Sequence, residues 1–225
     1  MPDNYHLIEG PIGDKYTLRR VRCEDVEKVA AHIRNYFLHD EPISSLCGYT
    51  EKYGDDFIFY FKYFLADGMS FWVEDNETGE VVAVRAICHE KMEVNPWITF
   101  PKTSRAAQIF IDIGEIVHDM EDIYEKYQLR ESADLLLSSC APKYRKQGIS
   151  KELYKRAINF LAAEGFKMVK SVFTSPYSRA GVASLGFEEV SRLYYKDLKD
   201  ENGNPMFDAS KLDSESYAAL MVKLL

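Results

Sequence analysis

Only four cysteines occur in the 225 residues: Cys23, Cys47, Cys88 and Cys140. None stands in a CxxC pair, and no histidine lies near them at zinc-ligand spacing. A disulfide scaffold and a Cys/His metal module are therefore excluded, and reduced, mostly buried thiols in a cytosolic protein are expected. Basic residues are in the minority, 28 Lys+Arg against 36 Asp+Glu, for a net charge of −8. Nucleic-acid binding requires the opposite balance; an acidic chain favours cationic small molecules instead. No apolar run approaches the ~20 residues that span a bilayer. The N-terminal residues Met1 to His6 have neither the basic nor the apolar part of a secretory signal. There is no internal repeat, low-complexity tract or Pro/Gly/Ser linker. With 46% apolar and 28% charged residues, one soluble, cytoplasmic α/β domain over residues 1–225 is expected.

Strand patterns alternate with helical ones. Tyr16–Arg22 reads as a strand, and Glu24 and Asp25 open a helix whose apolar face is Val26, Val29, Ala30, Ile33 and Phe37. It stops near Asp40-Glu41-Pro42, because Pro42 disfavours the helical conformation at Glu41. Tyr53, Phe57, Tyr60, Phe61 and Phe64 fall at helical spacing between Tyr49 and Leu65; they suit a core face, and some rings could line a pocket as well. Ser70–Glu74 and Glu80–Ile87 form a hairpin about the turn Asp75–Gly79. A long helical stripe runs from Ile109 to Tyr127, with Gly114 a possible break. Ala133–Cys140 is a strand and Ile149–Phe160 a helix that stops at Gly165. Lys167–Thr174 is a strand, Tyr177–Leu185 a short helix, and Glu188–Asp197 and Ser214–Leu224 the closing strands. Turn chemistry at Asp200–Pro205 separates the last two.

Chemistry concentrates between Cys140 and Ser150, where a strand passes through a loop into an amphipathic helix. A helix N-terminus offers unpaired N–H groups and partial positive charge to an anion. Gly148 permits close backbone approach, and Arg145 and Lys146 add cations. The residues fit neither G-x-G-x-x-G nor G-x-x-x-x-G-K-[ST]. A phosphate cradle and a solvated basic loop both remain open on local grounds.

Arg145-x-x-Gly148-x-Ser150 resembles the R/Q-x-x-G-x-G/A acetyl-CoA signature of the GNAT superfamily of N-acetyltransferases, with Ser150 in place of Gly or Ala. Asp40-Glu41-Pro42 resembles the Asp-Glu-Pro segment of insect-type arylalkylamine N-acetyltransferases. Thr174-Ser175-Pro176-Tyr177-Ser178 followed by Leu185-Gly186-Phe187 resembles their late motif. The ends Asp200–Phe207 and Leu220–Leu225 are similar too, so the likeness covers about residues 15–225. It implies an α/β (α+β) fold with a central mixed, mostly antiparallel, twisted sheet of about seven strands flanked by helices. It also implies acetyl-CoA as co-substrate, held by Ser138, Ser139 and Cys140 along the strand and by Arg145, Lys146, Gln147, Gly148, Ile149 and Ser150 in the loop and helix. No metal is implied.

An alkylammonium resembles lysine, pKa roughly 10.4, so at neutral pH only about one in 10³ is free base and a proton acceptor is required. The resemblance implies Glu41 as that general base, directly or through water. Two hydroxyl positions near the thioester align with Thr174 and Ser178, and Tyr177 is a candidate acid for the departing thiolate. Arg179 could reach a phosphate or solvent. Cys140 is expected to be a strand residue rather than a nucleophile.

The acceptor implied is an arylalkylamine such as dopamine, octopamine, tyramine or serotonin, with the aromatic segment available for stacking. Aliphatic cations (polyamines, histamine, agmatine) are the alternative and would need a second acidic contact, for which Asp55 and Asp56 are candidates. A longer acyl-CoA donor and a non-catalytic CoA-binding module are further alternatives. A monomer is expected, with a dimer as the other possibility; neither nucleic acid nor membrane is an expected partner.

Overall fold

A computed structural model describes residues 4–93, 104–200, 202–208, 211, 213 and 216–225. Strands β1 (Gly10–Ile12) and β2 (Tyr16–Arg20) come first. A helical segment follows in pieces: a 3-10 turn at Cys23–Asp25, α1 (Val26–His32), a π turn at Ile33–Phe37, and α2 (Leu38–Asp40). Then come α3 (Pro42–Cys47), α4 (Glu51–Leu65) and the hairpin β3 (Phe71–Asp75) and β4 (Val81–Lys91). Helices α5 (Arg105–Asp119) and α6 (Ile123–Tyr127) lead to β5 (Glu131–Cys140), α7 (Ile149–Ala163) and β6 (Met168–Phe173). Helix α8 (Pro176–Ala183), β7 (Glu188–Tyr194) and β8 (Tyr217–Leu224) close the chain. The strands form one sheet in the order β1-β2-β3-β4-β5-β6-β8-β7. Every neighbouring pair is antiparallel except β5–β6, which is parallel.

Side-chain alternation assigns the two faces of the sheet. In β4, Ala83 and Ile87 join the core beneath α7, with Leu153, Ala157 and Phe160. Val84 and Ala86 join the opposite core, built with Val29 and Ile33 of the first helical segment and Phe57 and Phe61 of α4. Phe57 and Phe61 stack with centroids 4.4 Å apart, so the aromatic run in α4 is chiefly a packing surface.

The sheet has eight strands where about seven were expected. The extra one, Gly10-Pro11-Ile12, is short and contains a proline, which a sheet edge tolerates because one row of N–H groups faces outward there. The first expected strand ends at Arg20. The stripe from Ile109 to Tyr127 breaks at Met120–Asp122 rather than at Gly114, because Asp122 accepts from the Tyr124 and Glu125 amides and starts a new helix. The strand expected to reach Asp197 ends at Tyr194 in a 3-10 turn. In the final expected strand, residues 214 and 215 lie outside the described residues, as does residue 201 of the preceding turn. All four thiols are free, but Cys88 alone is buried; Cys23 is exposed on the turn before α1, and Cys47 and Cys140 are half-buried. No helix among the described residues is long and apolar enough to cross a membrane.

Candidate active site

The parallel pair β5–β6 holds together only at Ala133–Val169 and Asp134–Lys170. Beyond Asp134 the strands part, leaving the edge of β5 toward Cys140 without a strand partner. The Ser171 hydroxyl donates to the Leu135 carbonyl across the opening (2.8 Å), so a side chain takes over where backbone pairing stops. The β4–β5 register shifts at the same place. Leu135 packs with the α7 core, whereas Leu136 and Leu137 both face the opposite core. Two consecutive residues on one side mark a bulge, which bends the strand away from its neighbour.

Beside Thr174, the residue just past the end of β6, lies Glu41. Its extended backbone (φ −73°, ψ 127°) caps α3, with Pro42 as the first helical residue. The residue is 4% exposed. Oε2 accepts from the Ser44 amide at 2.6 Å, while Oε1 has no hydrogen-bond partner. Burial raises the Glu41 pKa, opposed by the Ser44 and Ile43 amides and the Thr174 and Ser44 hydroxyls. Thr174 is thus near enough to steady the carboxylate without satisfying Oε1. Tyr53 and Tyr195 complete the surroundings: Tyr53 bonds the Ser44 hydroxyl at 2.6 Å, and Tyr195 donates to the Thr174 carbonyl at 3.2 Å. Burial, reinforced by the Glu41 charge, raises both phenol pKa values and pushes the Cys47 thiol up to about 11. None of Ser44, Tyr53 or Tyr195 is marked as a site residue by any sequence motif; only the fold delivers them here.

A cavity of about 880 Å³ extends from Ile43 and Thr174 along β6 to Lys170, beneath α5 and α6. Thr174 and Lys170 are four residue steps apart, so they stand about 13 Å from each other along the cavity. Six carboxylates line it (Glu90, Glu115, Asp119, Glu121, Asp122 and Asp134) against two lysines, Lys91 and Lys170. That balance selects cations. Of the seven aromatic residues in α4, Phe61 alone lines the cavity; Phe110 and Tyr124 add further rings from α5 and α6. Asp55 and Asp56 do not line the cavity; they pair with Arg34 (2.6 Å) and Lys52 (3.1 Å). The acids at the far end are Glu90 and Asp134 instead. Both pair with the wholly buried Lys170, which also donates to His118 Nε2 at 3.1 Å. Burial alone would lower the Lys170 pKa, but Asp134 and Glu90 outweigh it and raise it. Burial raises that of Asp134 despite Lys170.

On the other side of the open edge, Lys146 (φ 62°) and Gly148 (φ 81°) turn the loop into α7 through left-handed conformations. A Cβ on Gly148 would meet nothing within 4 Å. The space is open, and the first amides of the 15-residue α7 face outward with it. The loop's side chains are partly engaged. Arg145 pairs with Asp40 and donates from Nε to the Cys140 carbonyl (3.0 Å), and Gln147 accepts from the Tyr16 hydroxyl (2.7 Å). Ile149 is buried and Ser150 exposed. In β5, Ser138 is half-buried, whereas the Ser139 hydroxyl turns to His32 Nε2 (3.1 Å), whose Nδ1 donates to the Val81 carbonyl (3.0 Å). Burial holds that imidazole neutral, its pKa lowered to about 4. Burial also raises the Cys140 thiol pKa, the wrong direction for a nucleophile.

The remaining candidates on α8 separate. Ser178 is half-buried, and its hydroxyl donates to the Ser175 carbonyl (2.9 Å). Tyr177 is 89% exposed and lines no part of the cavity. Arg179 reaches neither solvent nor a phosphate position: it is buried, donates to the Tyr217 carbonyl at 2.7 Å and lies over the Tyr217 ring. Among the described residues, no group of three His, Cys, Asp or Glu side chains is placed to hold a metal ion.

No family model matches the chain. Solved structures share its fold. A mosquito arylalkylamine N-acetyltransferase like 5b superposes with a TM-score of 0.80 at 21% identity, covering 93% of this chain and 100% of that one. Arylalkylamine N-acetyltransferase 2 from Aedes aegypti gives 0.81 at 18% identity, over 93% and 98%. A Drosophila melanogaster polyamine N-acetyltransferase that forms N-acetylagmatine gives 0.77 at 14% identity, over 93% and 100%. At these identities the likeness establishes the fold: this chain has the mixed, mostly antiparallel α/β architecture of the GNAT N-acetyltransferases. A fold does not fix an acceptor, as these three neighbours illustrate.

Proposed function

We propose that this chain is an acetyl-CoA-dependent N-acetyltransferase for primary amines, with arylalkylamines as acceptors. The observation that carries the reading is Glu41: a buried carboxylate with one unpartnered oxygen, beside Thr174, which lines the acidic cavity. An unsatisfied buried carboxylate is costly to keep and suits a group that must take a proton. The donor's diphosphate would lie at the α7 N-terminus beside Gly148, and its thioester would reach Glu41 along the edge from Cys140 toward Ser138. Glu41, directly or through water, takes a proton from the ammonium. The freed nitrogen attacks the thioester carbonyl, a C–N bond forms, the C–S bond breaks, and the nitrogen's surplus proton balances the one taken up by the departing CoA thiolate. Oε2 stays on the Ser44 amide, so Oε1 is the oxygen available to the proton. Thr174 and Ser178 are assigned as hydroxyls near the thioester. Tyr177, exposed as it stands, would act as acid only by moving.

Phe61 and Phe110 offer the acceptor's ring a place in the cavity. A second reading, aliphatic di- or polyamines, is favoured by Glu90 and Asp134 about 13 Å along β6 from Thr174. Thiol release from acetyl-CoA, measured across aromatic monoamines and aliphatic diamines, separates the two. Faster turnover with aromatic monoamines supports the first, and faster turnover with long diamines the second. Glu41→Ala is expected to lower turnover by ~10²–10⁴-fold; a wild-type rate in that variant removes Glu41 from the mechanism.

A further inference from the structure

Arg85 lies in the middle of β4 and is 1% exposed, yet its Nε and Nη2 have no hydrogen-bond partner. The other wholly buried cation, Lys170, is surrounded by two carboxylates and a histidine. Among the described residues no carboxylate pairs with Arg85, whose guanidinium lies over the ring of Tyr154 on α7, 3.9 Å from Cζ to the centroid. Taking a cation out of water is costly even after relaxation, and a cation–π contact returns only part of that cost. Buried N–H groups left without acceptors in a finished core are rare and point to a partner supplied from outside the chain.

The position identifies that partner. Across β4–β5, Arg85 faces Ser138 directly, as the adjacent Ala83 faces Cys140. Ala83 and Cys140 pack with the α7 core, and Arg85 reaches Tyr154 of the same helix, so Arg85 and Ser138 share that face of the sheet. Ser138 belongs to the part of β5 whose outer edge has no strand partner. Ser138, a small side chain, is thus the β5 residue that Arg85 faces on the way to that edge. Tyr154 is five residues into α7 from Ile149, about 7.5 Å along the helix from its anion-binding end. Arg85 thus lies between the Gly148 turn and the cavity, beside the path that connects them.

We propose that Arg85 binds the pantetheine arm of the acyl-CoA donor, its free N–H groups donating to an amide carbonyl of the arm across Ser138. The assignment rests on the acetyltransferase reading and adds to it a contact that no motif carries. The arm's amide completes the hydrogen bonding of a cation that is otherwise left unsatisfied.

Calorimetric titration with two ligands tests it: CoA, and 3′,5′-adenosine diphosphate, which has the nucleotide end but no pantetheine. Arg85→Met is expected to weaken CoA by roughly 10- to 100-fold, the size of a hydrogen bond to a charged group, and to leave 3′,5′-adenosine diphosphate unchanged. The ligand-free variant is expected to melt at or above the wild-type temperature, because an unpaired buried charge has been removed. If Arg85→Met does not fold, Arg85→Lys keeps the charge, loses the planar fork, and is expected to weaken CoA with the same selectivity. Unchanged CoA affinity, or an equal loss for both ligands, overturns the assignment. Wild-type protein that binds neither ligand overturns the acetyltransferase reading as well, so the two failures are distinguishable.

Discussion

Glu41 and Asp134 are buried carboxylates near opposite ends of one cavity, and their surroundings differ in kind. Asp134 is held by the ammonium of Lys170, and Glu90 and His118 extend the network. Glu41 has amide and hydroxyl contacts but no cation, and one oxygen is bare. Burial raises both pKa values; in one case a salt bridge offsets the cost, in the other only amide and hydroxyl contacts do. Pairing stabilises the floor of the cavity, while the lack of it leaves Glu41 able to accept a proton. Folding tolerates the first because it is satisfied, and the proposed role as proton acceptor would account for the second.

That contrast breaks most visibly at Glu41. Glu41→Gln is expected to lower turnover by ~10²–10⁴-fold without lowering the melting temperature at pH 7.5. The folded-state pKa lies above the unfolded one, so Glu41's contribution to stability is complete below the unfolded value and is lost as pH rises through the folded value. The glutamine variant escapes that loss, so its advantage at pH 7.5 should vanish near pH 4 in paired melting scans. A lower melting temperature at pH 7.5 would mean that the charged form is favoured in the fold. For the paired end the sign reverses: Lys170→Met should cost about 3–5 kcal/mol, since it strands Asp134 and Glu90 in the interior. Chemical denaturation reads this directly, and a loss under about 1 kcal/mol would show the pair to be neutral.

Two smaller effects sharpen the comparison on the donor side. Gly148→Val puts a side chain into open space at a φ of 81°, where L-residues are strained. Its affinity for acetyl-CoA should fall about tenfold, an effect of roughly 1.4 kcal/mol; unchanged affinity in calorimetry contradicts a phosphate cradle at that turn. Ser178→Ala removes one hydroxyl whose partner is the Ser175 carbonyl three residues back. Turnover should fall more than stability, which should stay within about 0.5 kcal/mol of wild type. A variant that is unstable but fully active per folded molecule would make Ser178 a packing residue.

Much of the scaffold is legible in one dimension because its causes are local. Periodicity announces α4, α5 and α7, the Asp75–Gly79 turn announces the β3–β4 hairpin, and Pro42 forces Glu41 out of the helix. Errors arise where a short element has weak local signals. β1 is three residues with a glycine and a proline, and α3 is six residues between Pro42 and Gly48. Gly114 looked like a break, but one glycine costs a helix only about 1 kcal/mol, and the Asp122 cap determines where the second helix begins. Assigning Asp55 and Asp56 to the pocket failed for another reason: residue type was right, but the direction of a side chain on α4 depends on what that helix packs against.

From the sequence alone followed the alternation of elements, the extended Asp-Glu-Pro corner, the Arg145–Ser150 turn into α7 and the excess of negative charge. Each rests on dihedral preference, side-chain period or composition, which neighbouring residues suffice to set. Tertiary structure alone decided that Glu41 is buried with a bare oxygen, that Lys170 meets Asp134, Glu90 and His118, that β5 and β6 part after two paired positions, and that Nε and Nη2 of Arg85 are left without acceptors. Those outcomes depend on which groups lose water together, and desolvation is set by residues brought from distant parts of the chain.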